Sequence, residues 1–364
     1  MVGAVTGAMI LVDALRDPAT TAALDGDGWT TLLAIARAEQ LIGTLAHRLD
    51  GLPMPEAAKR VLADARASAE QGRTAALWEA EMARRVLPDM PGVLLKGTAF
   101  VAAGLSAGVG RQIGDLDILV PRDRIAEAEA ALLAAGWEWV KPDPYDDAYY
   151  RRWMHELPPL IHRDRDRMID VHHTILPLTA RVTPDAAALI ADSLPLENGL
   201  RILTPNDMLC HAAAHLFADG DLAGGLRNLW DVHCLVEEFG TDGLAARATH
   251  HGLAREVARA LRLSATLYSP LLRGRGPGRG AVITGEPLVA QASLPGPLPA
   301  SGEREKTDAL YLRRLLARDG WGCQTRRLTR LGFYLRSHWL RMPPTMLARH
   351  LWTKWRKGYL PAGG

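Results

Sequence analysis

The sequence predicts an α+β protein in which a small mixed sheet is flanked by N- and C-terminal helical regions. Two observations support this fold class. Short apolar segments with alternating polarity are concentrated between residues 91 and 173, whereas alanine-rich segments with helical spacing lie before and after them. At 364 residues, the chain is long enough to bury a substantial core.

The first ninety residues are predicted to be helical. Trp29 begins a segment in which apolar residues recur three and four positions apart, and the stretch from Ala57 to Val86 repeats that spacing with Glu and Arg on its outer face. Pro53 and Pro55 separate the two segments. No residue set here has the spacing of a chemical site, so this region is interpreted as a helical scaffold.

The predicted sheet region follows the turn cluster Pro88–Gly92. An apolar strand from Val93 leads through Gly97 into a short helix, and a second strand ends at Val120. Asp123 is the expected N-cap of a helix over residues 126–135 that ends at Gly136. The remaining expected elements are an edge strand at 137–140, a loop at 142–147, and strands at 155–162 and 168–173 joined by a charged turn.

Helices return after residue 200. Thr204-Pro-Asn-Asp207 is a capping box with Pro at the first helical position, and helices are expected over 208–217 and 226–239. Residues 273–306 are rich in Gly and Pro, which is typical of a loop or linker. The predicted regions are therefore 1–90, 91–200, 201–272, 273–306 and 307–364.

Overall composition gives little information about partners. The 43 basic and 41 acidic residues nearly balance, so there is no specific nucleic-acid signal. No apolar run is long enough to cross a bilayer, and the start lacks the basic leader of a signal peptide. The widely spaced Cys210, Cys234 and Cys323 indicate reduced thiols, and a cytoplasmic location is expected.

Three aspartates are the strongest chemical candidates. Asp115 and Asp117 are two apart on one strand and therefore share a face. If the strand that carries Asp170 pairs beside them, three carboxylates converge, and such hard oxygen ligands suit Mg²⁺ or Mn²⁺. The alternative is that Asp-Leu-Asp is an ordinary solvated strand face.

A second candidate is Lys96-Gly97-Thr98, which follows a buried strand. Glycine at such a turn lets backbone N–H groups approach a phosphate, while the threonine adds a hydroxyl and Lys96 or Arg111 a positive charge. The alternative is an ordinary strand-to-helix turn with a threonine N-cap.

Taken together, these motifs resemble the active-site signature of the polymerase-beta-like nucleotidyltransferase superfamily. More narrowly, Leu95-Lys-Gly-Thr-Ala99, Asp115-Leu-Asp-Ile-Leu-Val120 and Ile169-Asp-Val-His172 look like a bacterial family of uncharacterised nucleotidyltransferases. Thr204–Asp207 and Leu229-Trp-Asp231 fit the later helical part of that family. The resemblance covers most of residues 90–240.

The resemblance implies a minimal nucleotidyltransferase core that moves an NMP group from an NTP to a hydroxyl or phosphate acceptor. Asp115, Asp117 and Asp170 would hold Mg²⁺ or Mn²⁺, with Asp170 as general base. The nucleotide-binding residues would be Lys96, Gly97, Thr98, Arg111 and His172, with His172 supporting the carboxylates rather than ligating the metal. The acceptor is unknown, and the alternative is a non-catalytic nucleotide-binding or scaffold protein that retains the fold.

Two further features have structural alternatives. His211 and His215 share a helix face and could bind a metal with Asp231, but a polar seam between two helices, with His215 bonded to Asp231, is favoured. The tail from Thr307 has twelve Arg/Lys against two Asp, interleaved with Trp339, Trp352 and Trp355. It could contact an anionic partner or a membrane surface, or dock on its own acidic domain.

Overall fold

The computed structural model describes residues 7–140, 143–269 and 301–341, together with 347–348 and 352. It confirms the predicted fold class, because a mixed sheet lies between helical regions that come before and after it in the chain. None of the helices in these ranges is both long enough and apolar enough to cross a bilayer.

The helices before and within the sheet region are α1 to α8. Their bounds are Met9–Arg16, Gly26–Ala38, Ile42–Arg48, Glu56–Val86, Lys96–Ala102, Ile125–Ala134, Pro144–Trp153 and Ala186–Ala191. The later helices, α9 to α14, span Pro205–Ala213, Gly225–Phe239, Leu244–His250, Ala254–Tyr268, Ser301–Leu315 and Arg327–Arg341. A π-helical stretch, Ala214–Asp219, continues α9.

The sheet has seven strands in the order β3-β4-β5-β2-β1-β7-β6. From β1 to β7 the strands span Val93–Leu94, Asp115–Leu119, Trp137–Trp139, Leu160–His162, Met168–His172, Leu194–Pro195 and Arg201–Ile202. The pairs β2–β5 and β1–β7 are parallel and the other pairs are antiparallel. The predicted strands around 93, 115, 137 and 168 are all present, and the predicted strand 155–162 is shorter.

Local signals explain the helix starts that were predicted and those that were not. The Thr204 hydroxyl accepts from the N–H of Asp207, as the capping box requires. The expected loop 142–147 was wrong, because Asp143 caps α7 and Pro144 is its first residue. Asp123 is not an N-cap, since it lies in a 3₁₀ turn, Arg122–Arg124, that leads into α6.

The basic tail packs partly against the rest of the chain. Tyr311, Leu315 and Phe333 are buried, and the Arg318 guanidinium donates to Glu39 near the N-terminus. Residues 301–306 of the predicted loop belong to α13, whereas 273–300 lie outside the described residues, as does Trp355.

A buried arginine joins three parts of the chain. Arg227 on α10 is 4% exposed, and it donates to Thr44 on α3, to the Ala107 carbonyl and to Asp231. The Asp231 carboxylate also accepts from Arg111, which lies just before β2. Helices that come before and after the sheet strands in the chain therefore meet at one charged, hydrogen-bonded cluster.

Candidate active site

The three predicted aspartates converge on one face of the sheet. Asp117 on β2 is the register partner of Asp170 on the parallel strand β5, and Asp115 shares the face of Asp117 because it is two residues away. One carboxylate oxygen from each lies within 4.8 Å of the others. Leu116 and Ile118 point to the opposite side and are buried in the core.

Asp170 is held in an environment that disfavours its negative charge. Burial, followed by the charges of Glu156 and Asp117, raises the pKa of Asp170 to about 7. Its Oδ1 is buried and has no hydrogen-bond partner. A carboxyl group in this state requires either a proton or a cation.

Asp117 is compensated within the protein. Its Oδ1 accepts from the Lys96 ammonium at 2.7 Å and lies 2.9 Å from Nε2 of His172. Burial alone would raise the pKa of Asp117, but Lys96 and His172 together lower it below its ordinary value. Asp117 therefore remains an anion although it is only 3% exposed.

These residues fit a divalent cation. Three carboxylates from two adjacent strands offer hard oxygen ligands within 4.8 Å of one another. Oδ1 of Asp170 is buried and has no hydrogen-bond partner in the protein. Lys96 and His172 both contact the same oxygen of Asp117. The other oxygen of Asp117 is the one that would be left for a metal.

Lys96, Gly97 and Thr98 form the first turn of α5, next to the carboxylates. Lys96 has a positive φ of 49° and points its ammonium at Asp117. Leu95 is the N-cap and provides no side-chain cap, so the alternative of a threonine N-cap is wrong. Thr98 is 1% exposed and its hydroxyl has no hydrogen-bond partner.

Arg111 packs against α5. Its guanidinium lies over the Phe100 ring, 5.5 Å from the centroid, and donates to Asp231. A Cβ added to Gly97 would lie 2.5 Å from Nε of Arg111. Glycine at position 97 therefore has a packing role, since it lets the arginine side chain cross the start of the helix.

The chain matches the family model described as "Uncharacterised nucleotidyltransferase" over residues 25–269, which is more than half of its length. This chain belongs to that family. A comparison with curated proteins found no match. The family assignment supports nucleotidyl transfer as the general activity, and the acidic cluster lies within the matched range.

His211 on α9 and His215 on the π-helical stretch that follows it are not part of the carboxylate cluster of this nucleotidyltransferase. Among the described residues, the two groups of three that could hold a metal contain neither His211 nor His215. Asp231 accepts from Arg111 and Arg227, so this helix junction is a polar, charged contact. Lys96, Arg111, His211, His215 and Asp231 line a small cavity of about 60 Å³ beside α5.

Sequence reasoning missed three residues near the site. Glu156 forms an isolated β-bridge with His172, and the His155 ring lies 5.2 Å from the His172 ring between centroids. Helix α7 brings Tyr150 close enough for the charges of Glu156 and Asp170 to affect its pKa. Burial, followed by those charges, raises the pKa of Tyr150 to about 12. The Asp143-Pro144 helix start could have predicted α7 and therefore the position of Tyr150. Glu156 pairs through a single bridge, and one bridge leaves no repeating pattern in the sequence.

Proposed function

We propose that this protein transfers an NMP group from an NTP to a hydroxyl or phosphate acceptor, with release of pyrophosphate. The observation that carries the proposal is the convergence of Asp115, Asp117 and Asp170 within 4.8 Å on two paired strands. Membership of a nucleotidyltransferase family supports it.

Asp115, Asp117 and Asp170 would hold Mg²⁺ or Mn²⁺, which when bound neutralises phosphate charge and orients the acceptor and leaving group. An acceptor oxygen would form a bond to the α-phosphorus as the bond from that phosphorus to the bridging oxygen of pyrophosphate breaks. Asp170 would take the proton of a hydroxyl acceptor. Burial and the charges of Glu156 and Asp117 raise the pKa of Asp170, which makes it a better proton acceptor than an exposed aspartate.

The triphosphate end would lie at the start of α5. Lys96 already reaches the carboxylate cluster, and the first turn of this helix lacks a side-chain cap. Gly97 and Thr98 would bring backbone N–H groups toward the β- and γ-phosphates. Arg111 would act there mainly by positioning α5, because its guanidinium is engaged by Asp231 and Phe100. His172, 2% exposed, would hold Asp117 in place.

The alternative is a non-catalytic nucleotide-binding or scaffold protein. Both interpretations predict nucleotide binding, so binding alone does not separate them. Turnover separates the two interpretations, because only the enzyme needs a carboxylate that can accept a proton.

The test is incubation with each α-³²P-labelled NTP, Mg²⁺ or Mn²⁺ and cell extract, followed by identification of the labelled product. We expect transfer with the wild type and loss of transfer with Asp117→Asn. Asp170→Asn should lower turnover by about 10²–10⁴-fold, the range for a general base, while nucleotide binding is retained.

The matched control is Asp164→Asn, which removes the same charge from the exposed turn before β5. This variant should transfer like the wild type. Nucleotide binding without transfer to any acceptor in the extract would favour the scaffold interpretation. Transfer that persists in Asp117→Asn would contradict the enzyme proposal.

For the basic tail, we propose contact with an anionic membrane surface. Helix α14 buries Phe333 and Ser337 and exposes four apolar residues at spacings of three and four on its other side: Leu328, Leu331, Leu335 and Trp339. Arg327, Arg330 and Arg341 lie on the same helix. An apolar stripe with flanking arginines is the pattern of a helix that lies in a lipid interface.

Co-sedimentation with vesicles tests this contact. We expect binding to phosphatidylserine-containing vesicles, little binding to pure phosphatidylcholine, and a loss in Leu331→Gln. The control Leu310→Gln changes an equally exposed leucine on α13 and should bind normally. Equal binding by the two variants would contradict the proposal.

A further inference from the structure

A second cluster of ligand atoms includes His172, which contacts Asp117. One nitrogen from each of His155 and His172 and one carboxylate oxygen of Glu156 lie within 4.8 Å of one another. The two rings are 5.2 Å apart between centroids. The cluster is well shielded, since the side chains of His155, Glu156 and His172 are 12%, 15% and 2% exposed.

Nε2 of His172 is hydrogen-bonded to Asp117, so Nδ1 is the ring nitrogen that faces this cluster. Asp117 is an anion that already accepts from Lys96, so Nε2 of His172 must donate to it. In the neutral ring, Nδ1 then carries the lone pair. That atom lies 3.4 Å from Oε2 of Glu156 and has no hydrogen-bond partner.

His155 adds a second nitrogen to the same point. Its Nε2 is 3.6 Å from the same Glu156 oxygen, and its Nδ1 is buried without a partner. A proton between His172 and Glu156 would not involve His155. A cation could be bound by both rings and the carboxylate, and it would give Nδ1 of His172 a partner.

We infer that His155, Glu156 and His172 form a binding site for a transition-metal ion of the Zn²⁺ class. Two imidazoles and one carboxylate are a ligand set that zinc uses, and this set leaves a fourth position for water or another ligand. Asp117 provides the outer carboxylate that commonly orients a metal-binding histidine. A metal here would hold His172 and, through its hydrogen bond, Asp117.

This site is distinct in chemistry from the three aspartates, and its occupancy can be measured without nucleotide. The inference therefore does not rest on the proposed function. The test is titration of chelator-treated protein with Zn²⁺ against a chromophoric chelator, together with the visible absorption spectrum after addition of Co²⁺.

We expect one equivalent of Zn²⁺ in the wild type and a Co²⁺ spectrum with nitrogen ligation. His155→Gln should weaken Zn²⁺ affinity by more than ~100-fold, beyond the ~10–100-fold cost of losing an outer-shell partner. Glu156→Gln provides a second ligand variant if His155→Gln does not fold. Asp170→Asn and the exposed control His250→Gln should bind Zn²⁺ like the wild type.

Three results would overturn the inference. The first is the absence of Zn²⁺ binding in the wild type, and the second is its retention in the folded ligand variants. The third is an equal loss in Asp170→Asn and His155→Gln, which would place the zinc among the aspartates.

Discussion

Asp117 and Asp170 are register partners on adjacent parallel strands, although their pKa values are shifted in opposite directions. Lys96 and His172 keep Asp117 ionised, whereas burial and the nearby charges of Glu156 and Asp117 raise the pKa of Asp170 to about 7. One carboxylate is thus a permanent anion, and the other can exchange a proton near neutral pH. This difference makes Asp170 the better proton acceptor of the two, although both are proposed to hold the metal.

The first prediction concerns His172. His172→Gln should weaken Mn²⁺ binding at the three aspartates by ~10–100-fold, because an outer-shell partner orients Asp117. Isothermal titration calorimetry in the absence of Zn²⁺ measures the change. The control is His162→Gln, a buried histidine on β4 that packs against Trp137. If both variants bind Mn²⁺ equally well, His172 has no such role.

The second prediction concerns Arg227. Arg227→Met should lower the free energy of unfolding by about 3–5 kcal/mol, because it removes one partner of a buried ion pair. Urea denaturation measures this loss. The double variant Arg227→Met/Asp231→Leu should lose less than the sum of the two single variants, because each single change already breaks the pair. Additive losses would show that the pair is not coupled.

The third prediction concerns Gly97. Alanine at this position gains at most about 1 kcal/mol of helix propensity. The contact with Arg111 at 2.5 Å should cost about 1–3 kcal/mol. Gly97→Ala should therefore destabilise the protein in denaturant unfolding. In an Arg111→Ala background, the same change should be neutral or stabilising; an unchanged loss there would rule out the clash.

The fourth prediction concerns acid stability. Burial alone would raise the pKa of Asp207, but hydrogen bonds from His251, Arg247 and Thr204 lower it below 3.8. Because the pKa of Asp207 is lower in the folded protein, the stabilisation by its carboxylate is fully present above pH 3.8. It is lost as the pH falls through the lower pKa of the folded state.

The measurement is the difference in unfolding free energy between the wild type and Asp207→Asn. It should be constant from pH 7 to about pH 5 and shrink below pH 3.8. Asp192→Asn is the control, because its carboxylate, 51% exposed, also pairs with Arg247. A difference that is independent of pH down to acid unfolding would contradict the assignment.

The sequence allowed the aspartates to be predicted because strand periodicity places Asp115 and Asp117 on one face. Strand pairing was a hypothesis that the parallel register of Asp117 and Asp170 confirms. The contacts that could not be predicted are those across long sequence distances. Arg111 was assigned a phosphate role, but it reaches Asp231 on α10, and no local pattern indicates that pair.

Glu156 illustrates the same limit at shorter range. It meets His172 through one isolated bridge, so neither alternation nor helical spacing marks it. Helix α7, by contrast, was predictable in principle. Its Asp143-Pro144 start has the same form as Thr204-Pro205, but it was interpreted as a loop because Pro and Asp also favour turns.

Arg227 has a consequence for protein engineering. Its hydrogen bonds to Thr44, Ala107 and Asp231 tie α3 and α10 to the segment that leads into β2. A fragment trimmed to residues 91–200 would lack both Arg227 and Asp231 and would leave Arg111 without its carboxylate. A minimal expression fragment that preserves the aspartate face must therefore extend from α3 through α10, and chimaeras with relatives should exchange those helices as one unit.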